Sequence, residues 1–312
     1  MKTGAADHHR ILASVQAWRG APMALATVVE TWKSAPCPVG THMLVHADGR
    51  FTGSVSGGCV EGDVLEIARQ VIADNSFAVR RYGVADGSAW EVGLPCGGDI
   101  VVLVQNVSPD YFPGRLFGAI IDAQAAGEVL HIGTDLESGS SSIVQDESVG
   151  LFINTYLPPR RLILVGAVEI ASTLSNIARA MGVDVVLIDP RARFLTVERF
   201  PDIQLDDRWP DDAIRALAPD ARTAIVTLSH DPKIDDPALL AALETPAAYI
   251  AALGSKSSQL KRKERLAQMG AAPDQLARIE GPAGVAINAI SAPEIALSIA
   301  GGMVRAFNHG LR

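Results

Sequence analysis

Apolar and polar positions alternate with two different rhythms along this chain, one in each half. In residues 7–19, Ile11, Leu12, Val15 and Trp18 recur at helical spacing and predict an amphipathic helix. Met23 to Val29 then reads as a strand. The runs Thr41 to His46 and Phe51 to Val55 flank Asp48-Gly49, a dipeptide that predicts a hairpin because both residues tolerate a tight turn. Beyond Gly57 and Gly58 the period changes, and Val60, Val64, Ile67, Ala68, Val71 and Ile72 mark one face of a helix. Val79 to Tyr82 and Asp99 to Val104 predict two further strands. A helix is expected over 113–126, and 128–157 holds three short strand-like runs interrupted by the polar stretch Glu137 to Ser142. This half is expected to be an α+β domain with a mainly antiparallel sheet.

After Pro158 and Pro159 the pattern becomes βαβ. Strands are predicted at Leu162 to Val165, Val183 to Ile188, Thr223 to Leu228 and Ala248 to Leu253. Helices are predicted at Val168 to Met181 and over 236–243, 256–269 and 292–308. Such alternation implies a parallel sheet covered on both faces. The expected fold is therefore α/β: an N-terminal α+β domain over residues 1–157, then a C-terminal Rossmann-like parallel-sheet domain over 158–312. The apolar helix at the C-terminal end suits either core packing or an interface.

Composition narrows the function classes. Of the 312 residues, 48% are hydrophobic and 20% charged, which is a globular composition with ample core. The net charge of −8 argues against a nucleic-acid-binding face. Three cysteines form no even-numbered disulfide framework. The first residues lack an apolar signal core, and no apolar run reaches the roughly 18 residues of a membrane span. A cytoplasmic protein without a membrane span is expected. The cysteines at 37, 59 and 96 contain no CxxC pair and the histidines no ligand cluster, which argues against a zinc site. Walker A, GxSxG and HExxH sequences do not occur.

Several positions could carry chemistry. The first turn of the second domain reads Gly166, Ala167, Val168, Glu169. A dinucleotide fingerprint would place glycine at Val168, and Glu169 adds negative charge where a pyrophosphate would sit. Asp189 stands about 20 residues further on, where a ribose hydroxyl is usually bound. On balance the turn disfavours NAD(P), although an NAD(P)-dependent oxidoreductase stays the alternative reading of such a domain. Ser255 and Lys256, opening a helix after Gly254, suit a phosphate; an ordinary cap on a solvated basic helix is the plainer reading. His230, in Ser229-His230-Asp231 after a strand, is a candidate ligand contact or a member of a capping turn. Gly281, Gly284 and Asn288 are expected near it.

The cysteine loops stand out most. Cys59 follows Gly57 and Gly58 at the expected start of a helix, where the dipole and unpaired amides favour a thiolate. Cys96 precedes Gly97 and Gly98 in a second glycine-rich loop. Two readings are open. The cysteines are small core residues in tight turns, or they form a thiolate pair whose loops suit a soft metal or an oxyanion-bearing cofactor. Cys37, between two prolines, is a bystander or a third thiol.

The run GSVSGGCVEG from Gly53 to Gly62, with WEVGLPCGG from Trp90 to Gly98, resembles the signature of the XdhC/CoxI family of molybdenum-hydroxylase accessory proteins. Further matching pieces lie at Ala24 to Val29, Ser34 to Pro36, Asp189 to Arg191, Phe200-Pro201, Ser229 to Asp231, Ala248 to Ile250, Leu253 to Ser255 and Pro293 to Ala296. The resemblance implies a chaperone rather than a turnover enzyme. It would bind the molybdenum cofactor, as molybdopterin or its cytosine dinucleotide form. It would also protect the cofactor, assist its sulfuration by a cysteine desulfurase, and deliver it to the apo-enzyme of a xanthine dehydrogenase-type hydroxylase. It implies a homodimer, with Cys59 and Cys96 either contacting the metal or relaying sulfur. Loop glycines Gly57, Gly58, Gly97 and Gly98 would lie at the cofactor, and Ser255, Lys256, His230 and Asp189 toward its phosphate or nucleotide end. Many family members read Gly-Ala-Gly-His at the first Rossmann turn, from which Gly166 to Glu169 departs.

Overall fold

A computed structural model describes residues 5–33, 35–83, 98–145 and 150–309. The chain divides into two compact units, Met1–Pro158 and Pro159–Arg312.

In the first unit, α1 (Ala5–Ala17) leads into the long strand β1 (Met23–Trp32). β2 (His42–His46) and β3 (Phe51–Gly53) form the hairpin expected around Asp48-Gly49. The helix α2 (Glu61–Asp74), then β4 (Phe77–Tyr82) and β5 (Asp99–Asn106), complete an antiparallel sheet of order β3-β2-β1-β5-β4. β1 lies at its centre, and seven successive residues from Met23 to Val29 are buried. This works because strand side chains alternate between faces. Ala24, Ala26 and Val28 meet Val64, Ile67, Ala68 and Val71 of α2 on one side. Met23 and Leu25 join a second core with Ile11 and Leu12 of α1 on the other. A bulge at Val29 shifts the register against β5.

The helix α3 (Arg115–Ala126) adds Leu116, Phe117 and Ile120 to that second core. β6 (Leu130–Thr134), β7 (Ser141–Val144) and β8 (Phe152–Tyr156) form a small antiparallel sheet of order β7-β6-β8. The serine run read as an interruption is partly strand, since β7 begins at Ser141. A buried polar cluster ties this sheet to the larger one. His42 bonds Thr27 Oγ1 through Nδ1 at 2.9 Å and the Tyr156 hydroxyl through Nε2 at 2.8 Å, with Asn154 Nδ2 3.0 Å from the same nitrogen. His8 packs its ring against both His42 and Tyr156.

The second unit is a six-stranded parallel sheet. Its elements are β9 (Arg160–Val165), α4 (Glu169–Ala180), β10 (Val183–Ile188), β11 (Gln204–Asp206), α5 (Pro210–Leu217), β12 (Thr223–Thr227), α6 (Pro232–Leu243), β13 (Tyr249–Ala252), α7 (Lys256–Gln268), α8 (Pro273–Ala277), β14 (Ile279–Glu280) and α9 (Ala292–Phe307). The strand order β11-β10-β9-β12-β13-β14 is the Rossmann order 3-2-1-4-5-6. Leu162 and Leu164 of β9 face α4 and α9, whereas Ile163 and Val165 face α6. Ala296, Ile299, Ala300 and Met303 of α9 enter the first of these cores, so this face of the C-terminal helix is core. The sequence pattern did not reveal β11, α5, α8 or β14. Three of them span five residues or fewer, too short to show a period, and α5 has only its Pro210 start and two following aspartates as a signal. α6 starts at Pro232 rather than 236, because Asp231 caps it by accepting the Lys233 amide. Among the described residues no helix is long and apolar enough to cross a membrane.

Candidate functional site

The loop between β3 and α2 is organised by a residue that the sequence pattern did not single out. Glu61, the first residue of α2, is only 8% exposed. Its Oε1 accepts the Ser54 hydroxyl at 2.5 Å and the amides of Val55 and Ser56 at 3.1 and 2.8 Å. Its Oε2 accepts the Ser56 hydroxyl at 2.6 Å and the amides of Gly58 and Val60 at 2.8 and 3.2 Å. Burial opposes the charge, but the hydrogen bonds from Ser54 and Ser56 outweigh it and hold the carboxyl at about 2. The chain turns around this carboxylate with φ of 76° at Gly57 and 117° at Gly58, values that a side chain rarely allows.

Cys59 therefore sits two residues before the helix, half-buried against the core beneath α2. Its amide donates to Ser56 Oγ at 3.0 Å, as does that of Val60, and the Gly57 amide goes to Ser54 Oγ at 2.8 Å. This corrects the sequence-based expectation of unpaired amides around the thiol. A carboxylate and two hydroxyls of the same loop already take them. Gly57 and Gly58 are exposed, and Cys59 is half-buried beside them. Glu61 had a signal in the sequence, an acidic residue in the first turn of a helix with serines five and seven positions earlier.

Cys37 belongs to the same neighbourhood. Its Sγ donates to the Ser54 carbonyl at 3.8 Å, and the residue packs against the same core as Cys59. Cys96 and Gly97, and with them the expected pairing of the two cysteine loops, lie outside the described residues. Gly98 is buried just before β5.

In the second unit the first Rossmann turn is closed. Gly166 has φ of 110°, and a Cβ there would stand 2.8 Å from the Ser229 amide, so the turn after β9 packs directly on the turn after β12. Asp189 is fully buried and does not present its carboxylate to a ribose. It accepts the Ala167 amide at 2.7 Å and, from Arg191, the amide, Nε and Nη2 at 2.9, 2.9 and 2.8 Å. Burial would raise its pKa, yet the Arg191 guanidinium and these amides hold it below the usual carboxylate value.

Other sequence candidates do converge. His230 and Lys256 line one cleft of about 570 Å³, together with Gly254, Gly284 and Asn288, where β12, β13 and β14 end. Both are exposed. Ser229 and Asp231 supply the capping turn: Ser229 Oγ donates to Asp235 at 2.7 Å and accepts the Asp231 amide at 3.1 Å. Ser255 is the N-cap of α7, accepting the Ser258 amide at 3.2 Å, so its hydroxyl serves the helix. The helix is not uniformly solvated. Arg262 is 5% exposed and donates to Gln259 Oε1 and the Leu253 carbonyl, and Arg265 pairs with Asp236 at 2.6 Å.

Residues 162–303 match the profile described as XdhC Rossmann domain, and residues 17–83 match that of the XdhC and CoxI family. The chain is 28% identical to the molybdenum cofactor insertion chaperone PaoD of Escherichia coli, covering 94% of this chain and 86% of that one. It is 26% identical to a probable xanthine dehydrogenase subunit of Bacillus subtilis, over 88% of this chain and 90% of that one. A crystal structure described as a xanthine dehydrogenase from Bacillus halodurans superposes with a TM-score of 0.84 at 25% identity, covering 97% of this chain and 96% of that chain. With the cysteine loop in one matched region and the Rossmann-order sheet in the other, the chain belongs to the XdhC and CoxI family.

Proposed function

We propose that this chain is a molybdenum cofactor chaperone, a maturation factor that holds the cofactor and delivers it to a xanthine dehydrogenase-type molybdenum hydroxylase. The observation that carries this reading is the preformed Cys59 loop, in which every polar group named above is satisfied internally and the thiol is left as the donor. Kinship with an insertion chaperone over most of both chains supports it. The donor set fits the group. Thiolate sulfur is a soft ligand that suits a sulfur-rich metal centre better than a hard oxygen-seeking cation.

The cofactor itself would supply the redox-active molybdenum. The chain's part is to bind and orient. Cys59 provides the sulfur contact, while Gly57 and Gly58 offer bare backbone that a bulky group can approach. Cys96, framed by Gly97 and Gly98, is assigned the same role from its sequence. The cleft of His230 and Lys256 is assigned to an anionic group, a terminal phosphate or a cytosine dinucleotide. A cysteine desulfurase is the proposed second partner, since a cofactor held at a thiol is placed to receive sulfur before hand-over. The cytoplasm is the proposed site of action.

The test is to purify the protein and its Cys59→Ala/Cys96→Ala variant, then measure bound molybdenum and the pterin fluorescence released on oxidation. Cofactor in the parent and its loss in the variant are expected. Equal stoichiometry in both, with equal activation of a hydroxylase, would overturn the assignment. The strand order favours a second reading, a nicotinamide-dependent oxidoreductase. The internal use of Asp189 weighs against it, and micromolar NADH binding by fluorescence titration would revive it.

A further inference from the structure

We infer that Glu61 is the positioning residue of the cysteine loop, a buried carboxylate that gives Cys59 its place by gathering the backbone on both sides of it. This rests on the reading of Cys59 as the cofactor thiol.

Six donors converge on the two carboxylate oxygens, and they come from Ser54, Val55, Ser56, Gly58 and Val60. The amides of Gly58 and Val60 bracket Cys59 in the chain and bind the same oxygen, Oε2. Cys59's own amide is held by Ser56 Oγ, which in turn donates to Oε2. The thiol's residue is thus fastened at its own amide and at both neighbours, and each of the three bonds leads back to Glu61. A glycine pair would otherwise leave this segment with many accessible conformations. A chain segment wrapped around an anion through successive amides is an anion-binding nest. Here a side chain from the next helix fills it. The loop keeps its shape without an external anion, and a ligand arriving at Cys59 finds a formed site rather than one it must order.

The distinguishing property of this arrangement is that a small carboxylate should replace the side chain. Glu61→Ala empties the nest, and formate or acetate fits the vacated donors. The readout is the alkylation rate of Cys59 by iodoacetamide at one fixed pH, in the full chain carrying Cys37→Ser and Cys96→Ser. Loss of Glu61 should loosen the loop and raise the rate about tenfold, as expected when a half-buried group is exposed by local opening. Millimolar formate should return it toward the parent value, and chloride at equal ionic strength should not. An unchanged rate in Glu61→Ala, or an increase that formate does not reverse, would overturn the inference. If Glu61→Ala fails to fold, Ser56→Ala removes one donor to Oε2 and the acceptor for two amides while leaving the carboxylate. A several-fold faster alkylation is then expected, and the parent rate would refute it. None of these outcomes depends on molybdenum. A formate-reversible effect on alkylation, with molybdenum content unaffected by Cys59→Ala, would sink the cofactor reading and leave Glu61's role intact.

Discussion

The Asp189 carboxylate accepts the Ala167 amide at 2.7 Å across 22 residues of sequence, and this bond joins the end of β10 to the turn after β9. The acid occupies the sequence position from which a Rossmann domain usually reaches a ribose. In this chain it braces the turn instead, with Arg191 closing its second side. The carboxylate that would face a ribose is thereby used for internal structure.

Replacing Asp189 by asparagine should therefore act on stability. The amide nitrogen would face an N–H donor, and the Arg191 guanidinium would lose its counter-charge. A loss of about 2–3 kcal/mol is expected from breaking a buried, charge-assisted network. Urea unfolding measures it. NADH titration of the same variant should show no gain or loss of binding, because the carboxylate is not directed at a ligand.

His42 sets a pH dependence for the first unit. Burial depresses its pKa well below 6.5, and the neighbouring His8 adds to the effect. The other groups facing it, Thr27, Asn154 and Tyr156, are neutral hydrogen-bond partners. The folded state thus keeps His42 neutral where the unfolded chain binds a proton. Its contribution to stability is fully present above pH 6.5 and falls as pH drops from there through the folded pKa. Urea midpoints measured between pH 8 and pH 5 should decline below about pH 6.5. His42→Gln, which cannot titrate, should flatten that decline, at a cost of about 1–3 kcal/mol at neutral pH for the partners left unmatched.

The cleft of the second unit should bind anions through Lys256 and His230. Lys256→Glu reverses a charge at an exposed helix start, where acidic residues are tolerated, so the fold should be unaffected. Affinity for pyrophosphate and for cytidine monophosphate, measured calorimetrically, should fall about tenfold or more on this change and by less with His230→Ala. Equal affinities in the parent and both variants would remove the cleft from the cofactor assignment.

Local periodicity carried much of the architecture. The α2 face from Val64 to Val71, the hairpin at Asp48-Gly49 and the βαβ alternation after Pro159 were all legible, because each repeats within a few residues and reflects burial on one side of an element. The family signature around Cys59 was legible for the same reason: it is contiguous. Elements of two to five residues without a period, such as β14 and α8, were not.

The sequence by itself determined the two fold types, most of their elements and the glycine-framed cysteine that marks the candidate site. Tertiary structure alone decided what the polar groups do there. Glu61 claims amides that the linear pattern left unpaired beside the thiol, Asp189 braces a turn where a ribose contact was expected, and His42 meets Asn154 and Tyr156 from more than 110 positions away. Hydrogen-bond donors and acceptors are assigned by distance in the folded chain, and no spacing rule reveals which partner reaches a buried carboxylate first.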